Sequence, residues 1–257
     1  MKNIWRIAER ELRSYFVSPI AYVVMAIFLI ISGYFFHKLL TWYSFLSVQY
    51  MRYQAYIPQF NVHDFVTRRL FGQMSILLLL YVPLMTMKLL AEEKKLGTYE
   101  LLLTSPLKIY EIVVGKYLGS LILYAVMLVL TLEFPFFLFY FGTTDVGPTL
   151  TSYLGIFLIG AAFLSVGLFW SAVTENQIIA AALTFGTLLL FWVVGWTSPT
   201  AEPGLRVVLS YISLGEEHFD NLLKGVIDTR DIIYYLSFTF FMLFITFRVL
   251  ESERWRE

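Results

Sequence analysis

Six stretches of this chain, approximately 20–40, 70–88, 117–141, 152–172, 178–198 and 231–249, each stay apolar long enough to cross a lipid bilayer. A helix rises about 1.5 Å per residue, so about 20 residues cover a hydrocarbon core of about 30 Å. Inside that core every backbone N–H and C=O must find its partner within the protein, and a helix provides those partners itself. The composition agrees: 58% of the 257 residues are hydrophobic and only 15% are charged, too apolar for a soluble domain of this length. The expected fold class is an all-α integral membrane protein, a single domain over 1–257 with six transmembrane helices. Pro83 and Pro135 are predicted to kink the second and third spans.

Residues 1–18 read differently. At 100° per residue, Lys2, Arg6, Glu9, Arg10 and Arg13 share one face. Ile4, Trp5, Ala8, Leu12, Tyr15 and Phe16 share the other, where only Glu11 intrudes. Basic residues opposite Trp and Phe predict an amphipathic helix lying in the membrane interface. No small-residue cleavage pattern follows, so no cleaved signal peptide is read here.

Lys and Arg orient the spans. Segments 1–18, 88–116, 173–177 and 249–257 are the richer in them, which places both termini on the cytoplasmic side. The outer segment 41–69 carries Trp42, Tyr43, Tyr50, Tyr53, Tyr56 and Phe60, an aromatic load suited to the membrane–water boundary. Segment 199–230 holds two short helical patterns, 205–213 and 216–227. Gly155, Gly160, Ala161, Ala162, Ser165 and Gly167 in the fourth span, and Gly115-x-x-x-Gly119 at the base of the third, are packing faces.

The inner stretch Lys88–Ser120 is the one long charged insert between two spans. Gly97 suits a helix end, Thr98 a new cap before Tyr99, Glu100 and Leu101–Leu103, and Ser105-Pro106 a further restart. A short exposed helix held on stiff corners is expected there, shaped to press on something outside the membrane. Thr174-x-x-Gln177 reads as a capping box and makes the other inner loop very tight.

Motifs for chemistry are few. There is no Walker A, HExxH or GxSxG pattern and no cysteine, and the cytoplasmic segments are too short for a nucleotide-binding domain. No cofactor is expected on this chain, and a net charge of zero gives no reason to expect nucleic acid. Glu133 is the one acid inside a span and a candidate pathway residue. It lies roughly 24 Å along the third span from Tyr117, where simple hydration competes with a substrate or proton role. Glu216, Glu217, His218 and Asp220 read as a solvated helix face rather than a metal site.

Glu92-Glu93-Lys94-Lys95-x-Gly97-Thr98-x-Glu100-Leu101-Leu102, then Thr104-x-Pro106 and Gly115-Lys116, resembles the first cytoplasmic loop of ABC-2-type transporter permeases. Ser171-Ala172-x-Thr174 and Asn176-Gln177 are similar to the loop before their fifth span. His218-Phe219, Gly225–Asp228 and the charged tail look like the gliding-motility-type branch. The resemblance implies an interfacial elbow helix, six spans in a bacterial inner membrane, and a coupling helix within Glu92–Leu103 that seats in an ATPase groove. The coupling region as a whole spans 89–106. It also implies two permease chains joined to two ABC ATPase subunits, with ATP and magnesium held by the latter. Glu92, Glu93, Lys94, Gly97, Thr98, Tyr99, Glu100, Leu101, Leu102, Thr104 and Pro106 would then transmit motion, with Thr174, Glu175, Asn176 and Gln177 forming the second inner loop. None would be catalytic, and export is the family's habit. Two rival readings remain open: a proton-coupled secondary transporter using Glu133, and a membrane anchor for a cytoplasmic ATPase assembly.

Overall fold

The computed structural model describes residues 2–53, 61–99, 107–141, 145–197, 213–215 and 217–254, together with Glu202 and Gly204. Helices α1 (Lys2–Val17), α2 (Pro19–Tyr53), α3 (Arg68–Thr86), α4 (Ala91–Lys95) and α5 (Ile109–Leu130) come first. They are followed by α6 (Glu133–Phe141), α7 (Val146–Val173), α8 (Gln177–Thr197), α9 (Glu217–Leu223) and α10 (Thr229–Arg254). A π-helical turn, His63–Thr67, runs directly into α3. Six helical stretches are long and apolar enough to cross a membrane, and among the described residues there is no strand.

The bundle is built around α7. Its most apolar window is 78% buried, against 17% for that of α10. It packs against α3, α5, α8, α9 and α10, and its small residues permit the close approaches. A Cβ on Gly160 would lie 2.2 Å from the Tyr124 ring on α5, and one on Gly167 would meet Thr86 on α3. α4 lies at the C-terminal end of α7, and α9 packs near its N-terminal end.

The third span is broken. Proline has no N–H, so Pro135 cannot bond the Thr131 carbonyl, and Phe134 N–H takes that carbonyl instead at 3.1 Å. A turn at Thr131–Leu132 separates α5 from α6. Pro83, by contrast, sits inside a continuous α3.

α1 lies along the base of α5. Its contact stripe is Ile4, Ile7, Ala8, Glu11 and Tyr15, the i, i+3, i+4 pattern of one helix face. The Gly115-x-x-x-Gly119 pair makes room for it: a Cβ at Gly115 would sit 2.7 Å from that of Ile7, and one at Gly119 2.8 Å from that of Glu11. Lys2, Arg6, Glu9, Arg10 and Arg13 are all exposed, and so is Trp5.

The α9 end corrects one expectation. Of the four residues expected on a solvated face, His218 is buried and Asp220 half-buried, while Glu216 and the Glu217 side chain lie outside the described residues. His218 Nδ1 lies 2.6 Å from Asp231 Oδ1, whose second oxygen accepts from Asn221 Nδ2 at 3.1 Å. α9 is wedged against α7, so a polar sequence is held by partners rather than by water. The segment 205–212 lies outside the described residues.

Candidate functional site

The residues singled out from the inner loops converge at the α4 end, on the base of α5, the last turn of α7 and the end of α10. α4 has five residues and ends at Leu96, whose N–H donates to the Glu92 carbonyl at 3.0 Å. Gly97 follows with φ 69°, the left-handed geometry of a helix terminus that glycine adopts without a Cβ penalty. The Thr98 hydroxyl donates back to the Glu93 carbonyl at 3.3 Å, and the N–H groups it is expected to cap lie outside the described residues. Glu100, Leu101, Leu102, Thr104 and Pro106 lie outside the described residues.

The charged side chains here divide into inward and outward sets. Glu93 turns inward, its Oε1 3.0 Å from Arg10 Nη2 and 3.0 Å from Lys116 Nζ. The same Lys116 Nζ is 2.8 Å from Glu11 Oε1. Lys116 is buried, so two carboxylates on different helices face one desolvated ammonium, and Arg10 supplies the second positive charge. Lys94 also turns inward and donates to the Ala172 carbonyl and to both Glu253 carboxylate oxygens, at 2.7 and 2.8 Å. Tyr99 is buried and its hydroxyl donates to Glu253 Oε2 at 3.1 Å.

Glu92 is only half-buried, beside a cleft of about 650 Å³ whose walls include Ser14, Lys88, Leu96 and Thr98. Lys95, Leu96, Gly97 and Thr98 are exposed, Leu96 by 67%. On the other side of the cleft, Tyr15 donates to the Met85 carbonyl at 2.7 Å and ties α1 to the end of α3. Burial, with the Glu11 charge beside it, pushes the Tyr15 phenol well above its ordinary pKa, so it remains a donor.

The second inner loop is as tight as expected, but its cap is different. α8 begins at Gln177, so Asn176 is the capping residue and its Oδ1 accepts Ile178 N–H at 2.9 Å. Thr174 instead accepts Asn176 N–H at 3.2 Å. Glu175 and Asn176 are exposed, and α4 packs near this loop against α7 and α8. Glu133 stands apart. It is exposed, begins α6 beyond the break, and lies with Leu132, Pro135, Phe136 and Phe139 around an open hollow.

Arg10, Glu11 and Glu253 escaped sequence reasoning as members of this site, and Lys116 and Ser171 entered it only as parts of the loop motifs, without these partners. Two signals pointed to them: a lone acid on the apolar face of α1, and a lysine directly after the first glycine of the packing pair.

Six apolar helices in one bundle define a multi-pass membrane protein. Residues 5–205 match the family model described as ABC-2 family transporter protein, and the chain belongs to that family. Comparison with curated proteins found no match. The match stops at residue 205, before the His218–Asp228 residues that resembled the gliding-motility branch.

Proposed function

We propose that this chain is the membrane permease subunit of an ATP-driven exporter in a bacterial inner membrane. Both termini face the cytoplasm, a second permease chain completes the translocation path, and a separate ABC ATPase binds ATP and magnesium. Residues Lys95–Thr98, with Glu175 and Asn176, form the surface that meets the ATPase. α1 lies at the cytoplasmic membrane interface with Trp5 toward lipid and the basic face toward water.

The observation that carries this reading is the division of charges at the α4 end. Glu93, Lys94 and Tyr99 are spent on holding the segment in place. That leaves an exposed tip, Lys95–Thr98, on a frame anchored to α1, α5, α7 and α10. An exposed leucine flanked by a lysine and a left-handed glycine suits a mixed apolar and polar groove on a partner. The partner's closure on ATP would push the tip, and the frame would carry the push into the bundle.

The test is purification of the tagged chain from its native membrane into nanodiscs, followed by mass spectrometry and an ATPase assay. An ABC ATPase subunit in about equal amount is expected, lost when Lys95→Glu and Leu96→Asp are combined. A chain that purifies alone and transports without ATP would overturn the reading.

A further inference from the structure

Ser171-Ala172 belongs to the motif that resembles the family's second inner loop, yet nothing above gives it a role. The structure does. α4 is too short to be stable alone, and its first N–H groups need acceptors from elsewhere. The residue before it, Leu90, has no side-chain oxygen with which to cap it. Ser171, in the last turn of α7, provides the oxygen: its Oγ accepts Leu90 N–H at 3.0 Å and Ala91 N–H at 3.1 Å. Ser171 is fully buried, so water does not compete for these donors.

The exchange runs in both directions. The C-terminal end of α7 presents the Ala172 carbonyl, and Lys94 of α4 donates to it through Nζ. A cation at a helix C-terminus also meets the negative end of the helix dipole. The remaining hydrogens of Lys94 Nζ reach Glu253 on α10, which Tyr99 also bonds. Each helix end thus supplies what the other lacks. Separating them would strand two amide donors and a carbonyl, and would take one of its acceptors from the Lys94 ammonium.

We propose that Ser171 and Lys94 are positioning residues that make α4 and the adjoining end of α7 one rigid body. Displacement of the coupling segment then enters the fourth span directly, and through Glu253 the sixth, rather than only the second and third spans that flank it in sequence. Because α7 touches five other helices, motion entering its end reaches most of the bundle. The transmission rests on the coupling function proposed above; the fastening does not.

The chain has no cysteine, so labels are introduced without background. Spin labels at Lys88→Cys, partly exposed in the turn that enters α4 and outside the proposed docking surface, and at the exposed Leu150→Cys near the far end of α7 report the position of the α4 end relative to α7. In nanodiscs a single narrow distance distribution is expected, unchanged when the complex with its ATPase is trapped by ATP and vanadate. Ser171→Ala and Lys94→Met, made separately, should each broaden it about twofold, and hydrogen exchange at Leu90 and Ala91 should rise roughly tenfold in Ser171→Ala. Narrow distributions with unchanged exchange in both variants would overturn the fastening. A Lys88–Leu150 distance that shifts on trapping in the otherwise unaltered chain would overturn the rigid body without relying on any destabilised variant. If no ATPase co-purifies, the coupling function fails, while distribution widths and exchange still decide the fastening.

Discussion

Lys116 Nζ lies 2.8 Å from Glu11 Oε1, joining the third span to the first helix through a side chain that is 1% exposed. Glu93 shares that ammonium, at 3.0 Å. Replacing Lys116 with Met would leave the Glu11 and Glu93 carboxylates sharing only the more exposed Arg10. Breaking a fully buried pair costs about 3–5 kcal/mol, and Arg10 offsets part of that here. The expected outcome is a melting temperature lowered by several degrees in detergent, partly recovered when Glu11→Gln and Glu93→Gln are added. Equal melting of Lys116→Met and the unaltered chain would show that the ammonium contributes nothing.

Glu92 and Glu93 line the same cleft, but Glu93 is the one paired with Lys116 and Arg10, so charge reversal should separate stability from docking. Glu93→Lys places a third positive charge beside Lys116 and Arg10 and should lower thermal stability. Glu92→Lys, at the half-buried edge of the cleft, should leave melting nearly unchanged and reduce ATPase retention. Thermal melts and co-purification ratios on the two single variants check this. Identical behaviour of the two would contradict the inward and outward division.

The spans were legible because the bilayer demands length and apolarity from each one, and both are local properties of the sequence. The base of the bundle was less so. Glu93 and Lys94 sit in a charged run that reads equally well as partner-facing or self-binding. The choice depends on how α1 registers against α5, which Gly115 and Gly119 permit but do not name. Ser171 is harder still, since the loop motif contains the serine but says nothing of Leu90, which the fold brings to it. His218 misled for a related reason: its polar neighbours suggested water, but Asp231, thirteen residues on, is what satisfies it.

Gly160 and Gly167 should tolerate no side chain. A Cβ at Gly167 would lie 2.1 Å from Thr86 Oγ1, and one at Gly160 2.2 Å from the Tyr124 ring. Overpacking of this kind costs about 1–3 kcal/mol per site even for alanine. Gly167→Ala should therefore lower the melting temperature, and Thr86→Ala added to it should restore part of the loss. Additive losses in the double variant would show that the two positions do not meet.

Asp220 supplies the pH dependence. Burial raises its pKa, but hydrogen bonds from Lys224 and Arg68, and their charges, outweigh burial and hold the carboxyl below its ordinary value of 3.8. A carboxylate depressed in the folded state stabilises fully above its unfolded pKa. That stabilisation fades as pH falls from there through the lower folded value. Arg68 continues the chain from the π-helical turn into α3, and Asp220 lies on α9, so the pair pins α9 to the second span. Asp220→Asn should therefore melt a few degrees below the unaltered chain at pH 7. The gap should narrow as the pH of both falls below 3.8, because progressive protonation does to the native residue what the substitution did. Melting curves at pH 7, 5, 4 and 3 decide it, and a gap that stays constant across that range would remove Asp220 as the titrating group.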